Sequence, residues 1–334
     1  MTIADLGEHA LLARLLARLP RPPASVIVGP GDDAAIMAPT RNERLVVTTD
    51  ALVDGVHFSR EFSSPHDIGY KALAVNLSDL AAMGATPRWA VLSLVLPASW
   101  LVADVEALVD GMVGLATRHG VAVIGGNLTR TLGPLVVSIT AGGEVRPRRW
   151  LTRAGAKPGD GVFVSGALGA AAAGLEMLRT GAGSLELARD ATCIARQLRP
   201  EPRVRLGLAI ARGRAARAGM DLSDGLADGL RQVAAASGCG VRVDAAAIPI
   251  EPGARSWWTA RGVDPVTAAL AGGEDYELIF AVPRRGAGRL RAARRHAAEP
   301  ALTRIGEFTS HAGVLIVDRN GTDEPLPAGF EHFR

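Results

Sequence analysis

Apolar residues fall into short blocks punctuated by glycine, proline and polar turns, and the blocks alternate between two periods. Aliphatic and β-branched runs at Leu45–Thr49, Trp89–Leu96, Val121–Ile124 and Leu135–Thr140 predict strands. Between some of them a helical pattern covers Asp67–Met83, closed by Gly84, and Trp100–His119, closed by Gly120. A shorter helix over residues 11–19 is stopped by Pro20, Pro22 and Pro23. The pattern breaks around Arg146–Thr152 and then restarts. Strands are predicted at Val162–Ser165, Val241–Val243, Tyr276–Val282 and Gly313–Val317, the last followed by an Asn320-Gly321 turn. Helices are predicted over Gly169–Thr180, Arg203–Ala218 and Arg289–Ala298, and another opens at Asp221-Leu222-Ser223-Asp224-Gly225 and runs to Ser237. This rhythm predicts an α/β (α+β) chain of two domains, 1–147 and 148–334, and a length of 334 residues suits that division.

Hydrophobic residues make up 48% of the chain but aromatics only 4%, so Ala, Leu, Val and Gly must do most of the packing. The net charge of +3 depends on six arginines in one stretch, Arg284, Arg285, Arg289, Arg291, Arg294 and Arg295. No aromatic residue is interleaved with them, which fits a solvated helix face and not a nucleic-acid surface. The two cysteines, Cys193 and Cys239, have no metal-ligand spacing and read as free thiols. The most apolar stretch, Trp89–Leu96, stops at Pro97 and is too short to span a bilayer; with no leader-like segment visible, a cytoplasmic protein without membrane contact is expected. Lysine occurs only at Lys71 and Lys157, neither in a P-loop or protein-kinase context. Any nucleotide chemistry must therefore use another architecture.

Five acidic clusters change the picture: Gly31-Asp32-Asp33-Ala34-Ala35, Thr48-Thr49-Asp50, Asn76-Leu77-Ser78-Asp79, Asp221-Leu222-Ser223-Asp224-Gly225 and Gly272-Gly273-Glu274-Asp275-Tyr276-Glu277. Each lies beside small residues or inside an apolar run. Oxygen ligands without Cys or His suit Mg²⁺, which commonly arrives with nucleotide phosphates. Singly, most of these acids have plain structural explanations: turn carboxylates at Asp32 and Asp33, a strand-end turn at Asp50, an N-cap at Ser223 or Asp224. Asp79 is the exception. It sits near the C-terminal end of a helix that is apolar nearly all round, where burial and the helix dipole both disfavour a negative charge. The turn Ser165-Gly166-Ala167-Leu168-Gly169 has the look of a phosphate cradle, although close helix–strand packing explains it equally well.

In combination and in this order, the segments 67–84, Leu151–Asp160, Asp221–Gly225 and Gly272–Leu278 resemble the thiamine-monophosphate kinase family, of the ATP-binding superfamily that includes aminoimidazole ribonucleotide synthetase. The resemblance runs from about Val28 to Phe333. It implies ATP-dependent phosphorylation of thiamine phosphate to thiamine diphosphate, the last step of thiamine diphosphate biosynthesis. It also implies ATP and Mg²⁺ as cofactors and a homodimer formed through the N-terminal sheet. On the family pattern, Asp33, Thr48, Thr49, Asp50, Asp79, Asp221 and Asp224 would hold magnesium. Asp33, Asp50, Asp79, Asp221 and Asp224 would be the catalytic acids. Gly126, Arg153 and Ser223 would contact ATP, and His57, Glu274 and Phe330 would contact thiamine phosphate. The nucleotide would lie between an N-terminal ATP- and magnesium-binding domain and a C-terminal domain that closes the site.

The chain departs from the family at one position. Gly125-Gly126-Asn127 stands where the family has Gly-Gly-Asp, whose Asp is a magnesium ligand. Asn127 keeps a carbonyl oxygen for the metal and the nucleotide but loses the charge, which should weaken one site. That change leaves open a chain that binds nucleotide and thiamine phosphate without turning them over. A sibling enzyme of the superfamily is a further alternative; selenophosphate synthesis would want a reactive cysteine near the N-terminus, and none precedes Cys193. The acceptor, a phosphate monoester with a second pKa of about 6, needs no general base. The obstacle is repulsion between two anions, which explains why the conspicuous residues are acids suited to metal ions. Direct in-line transfer is expected.

Overall fold

The structure is a computed structural model that describes residues 1–30, 34–181, 191–297, 300–317 and 321–327. The chain divides into two compact units, residues 1–80 with 86–147, and residues 81–85 with 148–334.

In the first unit a small antiparallel pair, β1 (Val26–Val28) and β2 (Ile36–Met37), accompanies a four-stranded sheet. That sheet contains β3 (Arg44–Val53), β4 (Thr86–Pro97), β5 (Ala122–Thr131) and β6 (Val136–Val145), in the order β3-β6-β4-β5. Helices α1 (Ile3–Leu6) and α2 (Glu8–Leu16) precede it, and α3 (Pro65–Ala82) and α4 (Val102–His119) pack with it. β4 and β5 run parallel, so a crossover must join them, and α4 is that crossover. Period-2 alternation buries Ala90, Leu92, Leu94 and Leu96 of β4 with Val137, Ile139 and Ala141 of β6. The opposite face of β3 leaves Leu45 and Val47 60% and 53% exposed. α3 and α4 approach so closely that a Cβ at Gly69 would lie 1.8 Å from the Leu108 carbonyl oxygen; only glycine fits.

Strands β3, β4, β5 and β6 all outrun their sequence pattern, and in β3 and β5 this moves candidate site residues. β3 continues to Val53, so Asp50 is a mid-strand residue and not a strand end. β5 starts at Ala122 and passes through Gly125-Gly126-Asn127 to Thr131, where the sequence predicts a strand ending at Ile124. Pairing with β4 supplies the hydrogen bonds that this glycine-rich stretch has no intrinsic preference for.

The second unit is built on a seven-stranded sheet, in the order β13-β12-β9-β11-β7-β10-β8. Its strands are β7 (Gly161–Ser165), β8 (Ala218–Asp221), β9 (Gly240–Asp244), β10 (Leu278–Val282), β11 (Leu302–Thr309), β12 (Val314–Val317) and β13 (Asp323–Pro325). All pair antiparallel except β9 with β12. β10 is buried along its whole length, as a strand covered on both faces must be. Helices Ala170–Thr180, Val204–Gly213 and Leu226–Ser237 follow the sequence pattern; Ala191–Leu198, Pro252–Ala260 and Pro265–Ala271 do not appear in it. The helix predicted over Arg203–Ala218 stops at Gly213, where Arg214 turns left-handed with φ 50°, and β8 begins at Ala218. β8, with the sequence Ala-Gly-Met-Asp, has no β-branched residue, and its register against β10 makes it a strand. The six clustered arginines are all exposed, four of them on the helix Ala287–His296, as a solvated face requires.

Candidate functional site

In the first unit the α3 residues from Lys71 to Leu80 are all buried except Asp79, which is half-buried. A carboxylate at the one opening of this buried stretch needs a partner, and Asp79 has one on the sheet. The Thr48 hydroxyl of β3 donates to its Oδ2 at 2.5 Å. Asp50 lies two residues along β3 and therefore on the same face as Thr48. Register sets Asp50, Ile139, Leu92 and Gly126 in one row across the sheet, and Ala51, Ser138, Ser93 and Asn127 in the next. Successive rows face opposite sides. The structure thus brings Thr48, Asp50 and Asp79 together and places Thr49 and Asn127 on the other face. There the Thr49 hydroxyl donates to the Ile139 carbonyl at 3.2 Å and lies 3.0 Å from the Thr140 hydroxyl.

Gly126 and Asn127 border a largely apolar cavity of about 480 Å³ within this unit, walled by Leu12 and Leu16 of α2, Leu94 of β4 and Met112 of α4. A Cβ at Gly126 would come within 2.3 Å of the Leu92 carbonyl oxygen, so no larger residue fits there. His57 is held by its own backbone neighbourhood. Its Nδ1 accepts from the Val53 amide at 3.1 Å, which leaves the proton of the neutral ring on Nε2. Its carbonyl accepts from the buried Lys71 ammonium at 3.1 Å. Asp33 lies outside the described residues.

In the second unit Asp221 is the last residue of β8 and is buried. The loop that follows is zipped to the loop preceding β10. The Glu274 amide donates to the Ser223 carbonyl at 2.6 Å, Tyr276 to Leu222 at 3.0 Å, and Leu222 to Glu277 at 2.9 Å. Glycines make this possible: a Cβ at Gly273 would stand 2.5 Å from the Ser223 carbonyl oxygen. Asp221, Ser223, Asp224 and Glu274 are therefore gathered at one sheet end. The helix Leu226–Ser237 has Gly225 as its N-cap, with no side-chain cap, so neither Ser223 nor Asp224 serves as the helix cap. Instead the Ser223 hydroxyl donates to Asp224 at 3.3 Å. Arg153 donates to Gln232 on that same helix, and its carbonyl accepts from Ser237 at 3.3 Å.

The three acids of Gly272–Glu277 divide their work. Asp275 accepts from the amides of Gly169 at 2.8 Å and Ala171 at 3.3 Å. The turn Ser165–Gly169 thus spends its Gly169 amide, and the helix after it the Ala171 amide, on the chain's own carboxylate. Burial pushes the Asp275 carboxyl up to about 7, against the pull of those two amides, with Glu277 adding repulsion. Glu277, fully buried, is gripped by the guanidinium of Arg203, by Arg196 at 3.3 Å and by the Ser165 hydroxyl at 2.5 Å. Glu274 is half-buried and accepts from Gln197 at 2.7 Å. Sequence reading missed Arg196, Gln197 and Arg203, which stand 74 to 81 residues from the acids they hold, without motif or periodic signal. Phe330 lies outside the described residues.

Among the described residues there is no group of three or more His, Cys, Asp or Glu placed to hold a metal ion. The donor sets are smaller but all oxygen: Thr48, Asp50 and Asp79 in one unit, Asp221, Ser223 and Asp224 in the other. Such sets fit Mg²⁺, which typically takes one or two carboxylates and completes its shell with water and substrate phosphates.

Comparison with known proteins places this geometry. Residues 31–145 match the N-terminal domain model of AIR synthase related proteins, and residues 157–318 match the C-terminal one. The chain is 41% identical to thiamine-monophosphate kinase of Escherichia coli K12 over 335 aligned positions, covering 98% of each. The chain belongs to the thiamine-monophosphate kinase family. The crystal structure of the thiamine-monophosphate kinase from Stenotrophomonas maltophilia superposes with a TM-score of 0.82 at 43% identity, over 93% of this chain and 96% of that one. AaThiL, solved in complex with AMPPCP and TMP, superposes with a TM-score of 0.76 at 32% identity, over 100% and 99%. The two-domain α/β fold of the family is thus the fold of this chain. No helix among the described residues is long and apolar enough to cross a membrane.

Proposed function

We infer that the chain is a thiamine-phosphate kinase: it transfers the γ-phosphoryl group of ATP to thiamine phosphate, giving thiamine diphosphate and ADP. Family membership at 41% identity over 98% of the chain supports this reading, as does the complex of a 32% identical relative with AMPPCP and TMP. The observation that carries it is the Thr48–Asp79 contact. It sets a hydroxyl and a carboxylate, with Asp50 beside them, at a half-buried position in the otherwise buried C-terminal half of α3.

In the first unit Thr48, Asp50 and Asp79, together with Asp33, would hold magnesium, with Thr49 and Asn127 as further oxygen donors. In the second unit Asp221 and Asp224 would do the same. When bound, the metal neutralises phosphate charge and draws donor and acceptor anions together. The chain's own residues do the rest. Gly126 gives the nucleotide close backbone approach, and the apolar cavity beside it accepts a flat heterocycle. Arg153 and Ser223 contact the polyphosphate. The Nε2–H of His57 donates to the substrate, and Glu274, joined by Phe330, positions thiamine phosphate. The acceptor oxygen is already ionised near neutral pH, so no side chain has to remove a proton. The transfer is direct and in line, without a phosphoenzyme.

ADP release that requires thiamine phosphate, and that free thiamine does not elicit, tests the assignment. Equal release with and without thiamine phosphate would refute it. The exposed apolar positions Leu45 and Val47 support a homodimer in which a second copy covers this face of the sheet. A solution mass equal to one chain at micromolar concentration would reject that pairing. ATP dependence is consistent with a cytoplasmic enzyme.

A further inference from the structure

The cavity of the first unit has a largely apolar wall, and among the described residues that line it Glu8 is the one charged side chain. Glu8 belongs to α2. With Leu12, Leu15 and Leu16 it stands at positions i, i+4, i+7 and i+8, which is one face of a helix. Glu8 therefore heads the same stripe whose leucines close the cavity. From β5, Gly125 and Gly126 leave bare backbone on the wall.

An acid in the first turn of a helix suits the helix dipole, which explains a negative charge but not its place on the cavity face. Nor is α2 held through Glu8. Arg14 and Arg18 tie this segment to α4, both through Glu106 and Arg18 also through Asp110 at 3.1 Å. The Glu8 residue is exposed, which puts it at the rim, and among the described residues no hydrogen bond or ion pair occupies its carboxylate. Pockets that are mostly apolar take their orientation and selectivity from a few polar groups placed in this way.

We propose that Glu8 selects the base of the nucleotide: its carboxylate accepts a hydrogen bond from the exocyclic amine of adenine and turns away 6-oxopurines. The inference rests on the reading of this cavity as the pocket for the nucleotide base. Adenine presents an N–H donor at the 6-position, where guanine and hypoxanthine present a carbonyl oxygen. An ionised carboxylate is an acceptor only, so it pairs with the first and opposes the second. The aliphatic side chains around it offer no donor to a 6-oxo group in exchange.

The experiment titrates ATP and inosine triphosphate calorimetrically into the full-length parent, Glu8→Gln and Leu16→Trp, with Tm recorded for each. Inosine triphosphate differs from ATP only in its 6-oxo group and the proton on the neighbouring ring nitrogen. The parent is expected to bind ATP at least about tenfold more tightly. Glu8→Gln can turn its amide N–H toward an oxo group and is expected to bring the two affinities within about threefold, with Tm unchanged. Leu16→Trp fills part of the cavity and is expected to weaken both nucleotides alike. A parent that binds the two equally, or a Glu8→Gln protein that keeps the parent's preference, would overturn the proposal; weakened binding in Leu16→Trp would then leave the cavity reading standing. Full affinity for both nucleotides in Leu16→Trp would place the base elsewhere and remove both. A lowered Tm in Glu8→Gln with equal losses toward both nucleotides would make Glu8 merely structural and also overturn the proposal.

Discussion

The hydroxyl of Thr48 donates to Oδ2 of Asp79 at 2.5 Å, tying the middle of β3 to the C-terminal half of α3. From Lys71 to Leu80 this helix buries even Lys71, Asn76 and Ser78 and opens only at this carboxylate, so a solvent-facing strip does not account for Asp79. Asp79→Asn keeps the shape and an acceptor for Thr48 while removing the charge. Turnover is expected to fall by at least about a hundredfold with Tm within a few degrees of the parent. Near-normal ADP release from this variant would refute its assigned role.

Asn127 stands one row away from Asp50 in the register of the sheet, opposite Ser93, and its amide projects to the other face. A charge added there does not join Asp50 and Asp79. Asn127→Asp is therefore expected to change kcat by less than about threefold. An inert parent rescued by this substitution would overturn that expectation and favour a chain that binds without catalysis.

The Asp275 carboxyl titrates in the folded chain at about 7, raised by burial from 3.8, with Glu277 opposing its charge and Arg196 favouring it. Between those two values the folded chain holds a proton that the unfolded chain has released. Raising the pH through this window therefore favours unfolding, and the stability from this group is complete only below it. Asp275→Asn still accepts a hydrogen bond at the start of the helix Ala170–Thr180 and cannot ionise. Its Tm is expected to fall less than the parent's between about pH 4 and pH 7. Identical slopes in the two proteins, followed by differential scanning fluorimetry, would rule the assignment out.

Much of the fold was legible because it depends on local pattern. The alternation in β4 and the apolar surface of α3 each report burial directly, and Gly120 ends α4 in the left-handed conformation that glycine adopts cheaply. What was not legible depends on partners far along the chain. β8 has no strand-forming residue and exists because β10 pairs with it; β5 crosses two glycines because β4 lies beside it.

The sequence by itself determined which residue types were available: acids beside glycines, an apolar helix with a carboxylate near its C-terminal end, and family motifs in a fixed order. Tertiary structure decided what each acid does. Asp275 caps a helix, Glu277 satisfies two arginines, and Glu274 alone of the three is half-buried and accepts from Gln197. The physical reason is that a carboxylate's role follows from its desolvation and its donors. Those donors come from strands and helices 74 to 106 positions away, beyond the reach of any local pattern.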